Sequence, residues 1–188
     1  ACTLACAGIT SYGALKRALP LAAEDGLVII GAGGVGLTGV GIARAMCDNA
    51  VIVVDLDDAK LDLAREAGAH HTINPAKVDA LQEIQRLTGG GAGAVVDFVA
   101  SGPTADLGIA AIRKAGVYVP VGLYGGEVTV PTIMFPARMI NIKGSYVGNL
   151  KEMTELMDLV RSGRVPQIPV AERPMSDVTQ TLQDLADG

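Results

Sequence analysis

The chain has 188 residues, 49% hydrophobic and 19% charged, with a formal net charge of -5. That length suits one domain with a sizeable core, and the composition argues against disorder. No basic cluster is longer than Lys16-Arg17, which argues against binding nucleic acid through its phosphates.

In chain order, Ile9 to Leu19 reads as a helix stopped by Pro20. Leu27 to Ile30 is a first strand, Gly34 to Cys47 a small-residue helix, and Val51 to Val54 a second strand. Asp57 or Asp58 can cap a helix that runs to Ala67 and stops at Gly68. Ala69 to Ile73 is a third strand, Asp79 to Leu87 a helix, and Ala94 to Val99 a fourth strand. Pro103 opens a helix reaching Lys114, Gly116 starts a fifth strand over Val117 to Val121, and Val128 to Val130 and Ile140 to Lys143 are further extended pieces. Leu150 to Ser162 is a helix, Val165 to Pro174 an extended tail, and Met175 to Ala186 a last helix with Ser176 as N-cap. Strands alternating with helices predict an α/β fold: a doubly wound parallel sheet with helices on both faces. With 24 glycines, no Trp and two Phe, the core must be Val, Ile, Leu and Ala, which suits buried parallel strands. The expected division is a helical lead-in over 1–25, the doubly wound domain over 26–164, and a tail over 165–188.

The first strand runs straight into Gly31-Ala32-Gly33-Gly34-Val35-Gly36, and Asp55 ends the second strand. A strand, a G-x-G-x-x-G turn, a small-residue helix and a second strand ending in an acid form the pattern of a dinucleotide-binding unit. Gly31 permits the tight turn, Gly33 lets the backbone approach a pyrophosphate, and Gly36 lets helix and strand pack closely. The helix N-terminus at Gly34 and Val35 offers unpaired N–H groups to the anion. Asp55 can accept both ribose hydroxyls and would repel a 2′-phosphate. Leu56, Asp57 and Asp58 follow it with no arginine nearby, so NAD is expected rather than NADP. Lys60 can reach the ribose from the next turn or stand as a solvated lysine.

The ordered set Ala5-Cys6-Ala7-Gly8-Ile9-Thr10-Ser11-Tyr12, Gly31 to Gly36, Val53-Val54-Asp55, Leu61 to Ala69, Val96-Asp97-Phe98-Val99, Val119 to Leu123 and Ile142-Lys143-Gly144-Ser145 resembles the zinc-dependent alcohol dehydrogenases. These belong to the medium-chain dehydrogenase/reductase family, and the resemblance covers nearly the whole chain. It implies a Rossmann fold and hydride transfer between an alcohol or carbonyl substrate and NAD, with zinc as Lewis acid in the full-length protein. It also implies a preceding GroES-like catalytic domain that supplies the other zinc ligands. By the same resemblance, the chain is the coenzyme-binding part and binds NAD(H) without turnover. Cys6 matches one zinc ligand, and a catalytic zinc needs three protein ligands. Thr10, Phe98, Val99, Val121, Gly122 and Leu123 match positions on the nicotinamide side, and Ser145 and Val147 match a later cofactor-proximal stretch. Ala100 stands where many relatives have glycine.

Two other readings stand beside this one, the first within the same family and the second from another class. One is a zinc-free quinone or enoyl reductase using NADPH; Cys6 and Asp55 count against it. The other is a non-catalytic nucleotide-binding and dimerisation module. In this family the coenzyme domains often pair edge to edge, so a homo-oligomer is expected, with Val128 to Val130 and Ile140 to Lys143 as the edge. Tyr12 and Lys16 spell Y-x-x-x-K, a catalytic pair of short-chain dehydrogenases, but here the pair precedes the glycine motif. His70 and His71 read as structural or adenine-side residues. Three cysteines at uneven spacing (Cys2, Cys6 and Cys47) form no disulfide framework, so a cytoplasmic location is expected. Cys2 and Cys47 read as small buried hydrophobes. The apolar stretch from Leu27 to Met46 fits strand, turn and helix better than a membrane span.

Overall fold

A computed structural model describes residues 3–22, 26–166 and 170–187; Cys2 and the middle of the expected extended tail lie outside them. Six strands form one sheet in which every pairing is parallel. They are β1 (Leu27–Ile30), β2 (Val51–Val54), β3 (His71–Ile73), β4 (Ala92–Asp97), β5 (Ile112–Pro120) and β6 (Asn141–Ile142). Their order across the sheet is β3-β2-β1-β4-β5-β6. The chain winds outward from β1 in one direction and from β4 in the other. A crevice therefore opens beyond the carboxyl ends of β1 and β4, where the direction of winding reverses.

Alternate residues of each strand feed two cores, one on each face. Leu27, Ile29, Val51, Val53, Val96 and Val119 join one core, against α1 (Ile9–Ala22), α2 (Gly34–Met46), α3 (Asp58–Glu66) and α7 (Leu150–Arg161). Val28, Ile30, Ile52, Val54, Val95 and Tyr118 join the other, against α4 (Ala80–Thr88) and α5 (Gly102–Ala111). Because both faces are covered, the inner strands are apolar at every position, as in Leu27–Ile30 and Val51–Val54. The architecture is the expected doubly wound α/β sheet, the Rossmann fold.

Several elements differ from expectation. A π-helical turn, Leu4–Gly8, leads into α1, and α1 continues through Pro20 to Ala22. Proline has no N–H for the preceding turn, but Ala18 and Ala22 are fully buried, and that packing carries the helix on. The third strand begins only at His71: the His70 N–H bonds the Val51 carbonyl, but the Val51 N–H goes to the His70 ring instead of a backbone carbonyl, which ends the ladder there. The fourth strand spans Ala92–Asp97, which leaves Phe98 and Val99 beyond its end. α5 stops at Ala111 rather than Lys114, and β5 starts at the fully buried Ile112. Ile112 pairs with Ala92, but the next pair is Val117 with Ala94, so Arg113 to Gly116 bulge from the ladder, with Ala115 at φ 60°.

Val128 to Val130 form no strand. They lie between two positive-φ glycines, Gly125 and Gly126, and Pro131, which cannot donate to a ladder, while β6 occupies the place beside β5. β6 itself has two residues; beyond it the Lys143 N–H still bonds the Tyr118 carbonyl. Ser176 does not cap the last helix. It sits within a 3₁₀ turn, Met175–Asp177, and its hydroxyl bonds the Asp177 carboxylate; α8 (Val178–Asp187) follows. α7 is capped by Asn149 and Glu152 in a reciprocal capping box. A short helix, α6 (Met134–Arg138), precedes β6.

Candidate cofactor-binding site

The crevice is built around the glycine turn. Gly31 follows β1 at φ +93°, a left-handed conformation that side chains disfavour, and its N–H bonds the Val54 carbonyl. Gly36, the third residue of α2, lies so close that a Cβ there would overlap the Gly31 carbonyl. Between them Gly33 is the N-cap of α2, and a Cβ added at Gly33 or Gly34 would meet nothing within 4 Å. The first turn of α2 thus faces open space with its N–H groups unspent, the arrangement that receives an anion. Val35 is held from behind by the Ser11 hydroxyl of α1, which donates to its carbonyl at 2.8 Å.

Asp55 stands next to this turn. Its carboxylate accepts the Ala32 N–H at 2.7 Å and the Asp57 N–H at 3.0 Å. The acid and the glycine loop, 23 residues apart, are therefore bonded directly. A carboxylate has about four acceptor positions, so two remain for a ligand diol. Asp57 caps α3 by accepting the Ala59 N–H, which leaves Asp55 free of that task. Asp58 pairs with Lys77 and accepts from Asn74.

A groove of about 490 Å³ runs from Gly31 and Asp55 across Leu56, Pro75, Val99 and Leu107. Leu56 is 70% exposed and forms one wall of this groove. Ser101, Thr104 and Tyr124 also line it, and no Lys or Arg does among the described residues. The groove suits a flat, largely apolar ring lying beside a ribose. Phosphate on that ribose would meet the Asp55 carboxylate, with no Lys or Arg in the groove lining to offset it.

The structure thus brings Gly31, Gly33, Gly34, Val35, Gly36, Asp55, Leu56 and Val99 into one crevice. Phe98 lies beneath it, its ring against Gly39 of α2. Val121 and Gly122 follow β5 on the same carboxyl edge, and Leu123 beyond them is 81% exposed. Ser145 continues that edge past β6, its N–H on the Pro120 carbonyl; its buried hydroxyl has no partner among the described residues. Val147, at φ 50°, lays its carbonyl over Gly13 of α1. Thr10 is half-buried in the first turn of α1. Lys60 faces Asp57 at 3.9 Å on the surface of α3.

Other candidates fall outside the crevice. His70 and His71 sit at the amino end of β3, away from Asp55, and His70 Nδ1 accepts the Val51 N–H at 2.9 Å. That bond requires a neutral ring. Burial, then the charge of Arg44 and the neighbouring His71, lower its pKa. Tyr12 and Lys16 both bind Glu155 of α7, at 3.1 and 2.5 Å. Burial and that carboxylate raise the Tyr12 pKa, the opposite of what a tyrosine base needs. Cys47 is a half-buried free thiol on the Ala43 carbonyl. Sequence reasoning missed Pro75, Ser101, Tyr124 and Asp97 as contributors to the crevice and its walls. The available signal was their place just beyond, or at, the carboxyl ends of β3, β4 and β5.

Cys6 is exposed on the π-helical turn before α1. Among the described residues no group of three His, Cys, Asp or Glu could hold a metal, so these residues alone do not fit a catalytic zinc. The open glycine turn, the acid and the apolar groove do fit a dinucleotide. No helix among the described residues is long and apolar enough to cross a membrane.

Residues 34–162 match the family model described as zinc-binding dehydrogenase. An NAD-dependent alcohol dehydrogenase of Sulfurisphaera tokodaii is 33% identical over 187 residues, which is 98% of this chain and 54% of the relative. The crystal structure of the alcohol dehydrogenase of the hyperthermophilic archaeon Aeropyrum pernix matches with a TM-score of 0.89 at 34% identity, over 99% of this chain and 54% of that one. An acetophenone reductase of Geotrichum candidum, solved in complex with NAD, matches with a TM-score of 0.84 at 29% identity, over 99% of this chain and 52% of that one. The chain spans about half the length of the curated relatives it matches.

Proposed function

The chain belongs to the zinc-binding dehydrogenase family, and we propose that it is the NAD-binding portion of an alcohol dehydrogenase. The observation that carries this reading is the bond between Asp55 and the glycine turn, beside a groove that no cation lines among the described residues. When bound, NAD supplies the hydride acceptor or donor for an alcohol or carbonyl substrate. The chain's own residues bind and orient it. Backbone N–H groups from Gly33 to Val35 take the pyrophosphate, with the N-terminus of α2 behind them. Asp55 takes the ribose diol, and Leu56, Pro75 and Leu107 enclose the adenine away from water. Phe98, Val99, Val121, Gly122, Leu123, Ser145 and Val147 form the nicotinamide side, with Thr10 reaching it from α1, and Lys60 stands by the ribose. Cys6 is one zinc ligand, and the remaining ligands come from outside the described residues. The chain alone therefore binds NAD(H) without turning over alcohol.

The same reading includes self-association. Among the described residues nothing pairs with the outer side of β6, where Ile142 is 41% exposed and Ile133 and Tyr146 nearby in the chain are 67% and 73% exposed. A second copy pairing along this edge would satisfy its backbone and cover these side chains. A reducing, cytoplasmic setting, as expected for three unevenly spaced cysteines, belongs to the same proposal. Titration of the 188-residue chain with NADH and NADPH tests the cofactor assignment. Tighter binding of NADPH would replace it with a zinc-free, NADPH-linked reductase. Sedimentation at high concentration tests the pairing, which a clean monomer removes.

A further inference from the structure

We infer, resting on the nucleotide-binding reading above, that Asp97 is a positioning residue for the cofactor, latching together the two loops that leave β4 and β5. Asp97 is the last residue of β4 and is completely buried. One carboxylate oxygen accepts the N–H groups of Val99 at 2.9 Å and Ala100 at 2.8 Å. The other accepts the Tyr118 hydroxyl of β5 at 2.9 Å. Its backbone carbonyl accepts the N–H groups of Val121 at 2.9 Å and Gly122 at 3.1 Å. One residue thus holds the first residues of both loops. The Tyr124 N–H closes the pair by bonding the Val99 carbonyl at 3.2 Å.

The consequence reaches the crevice through Val99. Its Cγ2 lies 2.9 Å from where a Cβ of Gly31 would be, so Val99 rests on the glycine turn itself. Val99, Ser101 and Tyr124 line the groove that also contains Asp55. Ala100 is held at φ 54°, which turns the chain so that Ser101 can cap α5. A non-glycine residue keeps that conformation only where its surroundings enforce it, and the Asp97 carboxylate bonds its N–H. A buried carboxylate is a poor device for core stability, because the cost of leaving water is recovered only through its hydrogen bonds. Here two of those bonds are spent on the groove wall. Burial and the adjoining carboxylate raise the Tyr118 pKa, so its hydroxyl stays a donor at any ordinary pH.

The test uses the full 188-residue chain and four variants: Asp97→Ala, Asp97→Asn, Tyr118→Phe, and Val95→Ala as a control. Val95 is fully buried in the same strand, beside Tyr118 in the α4–α5 core, but makes no bond to the Asp97 carboxylate or to either loop. NADH affinity and thermal midpoint are read for each. Asp97→Ala is expected to weaken NADH about tenfold, and Asp97→Asn and Tyr118→Phe about three- to fivefold, with partial rescue in Asn because its amide oxygen still accepts. Val95→Ala should lower the midpoint while NADH affinity stays within about twofold. Should Asp97→Ala fail to fold, Asp97→Asn and Tyr118→Phe carry the comparison against the control. The inference is overturned if affinity simply follows the midpoint across the variants, or if loss of the carboxylate leaves NADH binding unchanged. A wild-type chain that does not bind NADH removes the cofactor reading itself. Wild-type binding with affinity tied only to stability removes the inference alone.

Discussion

Replacing Gly33 with alanine separates binding from folding more cleanly than any other change in the crevice. Gly33 sits at φ -72° and ψ -174°, a conformation open to alanine, and a methyl group there meets nothing within 4 Å. Alanine is a poorer N-cap than glycine but leaves a less flexible unfolded chain, so the two effects offset and the folded state should shift by no more than about 1 kcal/mol. The same methyl occupies the space a pyrophosphate must enter to reach the first N–H groups of α2. Losing one or two charge-assisted hydrogen bonds, at about 1.5–3 kcal/mol each, weakens NADH by about a hundredfold. At an NADH concentration of about a hundred times the wild-type Kd, the ligand stabilises the wild type by about 2.7 kcal/mol. A variant a hundredfold weaker gains about 0.4 kcal/mol under the same conditions. For a chain of this size that is a rise in Tm of about 5–10 °C against about 1–2 °C. Thermal melts with and without NADH read both quantities together. A Gly33→Ala chain with the wild-type NADH shift would refute the placement of the pyrophosphate. One that melts far below wild type without ligand would refute the open turn.

Asp55→Ala removes the acceptor for Ala32 and Asp57 as well as for the ribose, so NADH should weaken about tenfold while NADPH weakens less, checked by paired fluorescence titrations. Leu15→Ala empties a fully buried position where α1 meets the sheet and should cost about 2–5 kcal/mol in urea unfolding, with cofactor affinity retained wherever the chain is folded. His70 has its pKa lowered from 6.5 in the fold, so the neutral ring is the favoured native form. Its contribution is full above pH about 6.5 and is lost as pH falls through the lowered value. His70→Asn keeps an acceptor for the Val51 N–H without titrating, so urea midpoints between pH 6.5 and 5 should fall less steeply than in the wild type. Parallel pH curves for the two chains would contradict this role.

The readable parts of the fold and crevice are those in which neighbours along the chain decide the outcome. Leu27–Ile30 and Val51–Val54 are apolar throughout because both faces of a parallel strand are covered, and such runs announce inner strands. Gly31 to Gly33 lead straight into α2 at Gly34, and Asp55 follows the adjacent strand, so their meeting follows from order and spacing. Asp57 and Asp79 cap α3 and α4 through bonds two or three residues away. Val128 to Val130 carry the same strand-like residues and form no strand, because pairing needs a free neighbour and β6 already fills the place beside β5.

The amino-acid sequence by itself determined the alternation of strands and helices, the glycine turn, and the acid that stands at the end of the second strand beside it. Local sterics and apolar periodicity act within a few residues, so these features are written in short stretches of chain. Only the tertiary structure decided that α1 runs through Pro20, that β5 begins at Ile112 with a bulge, and that Asp97 holds two loops at once. It also decided that Pro75, Val99 and Tyr124, from three separate loops, meet in one groove. Each of these depends on contacts between residues far apart in the chain, and burial and pairing across the sheet exist only once it has formed.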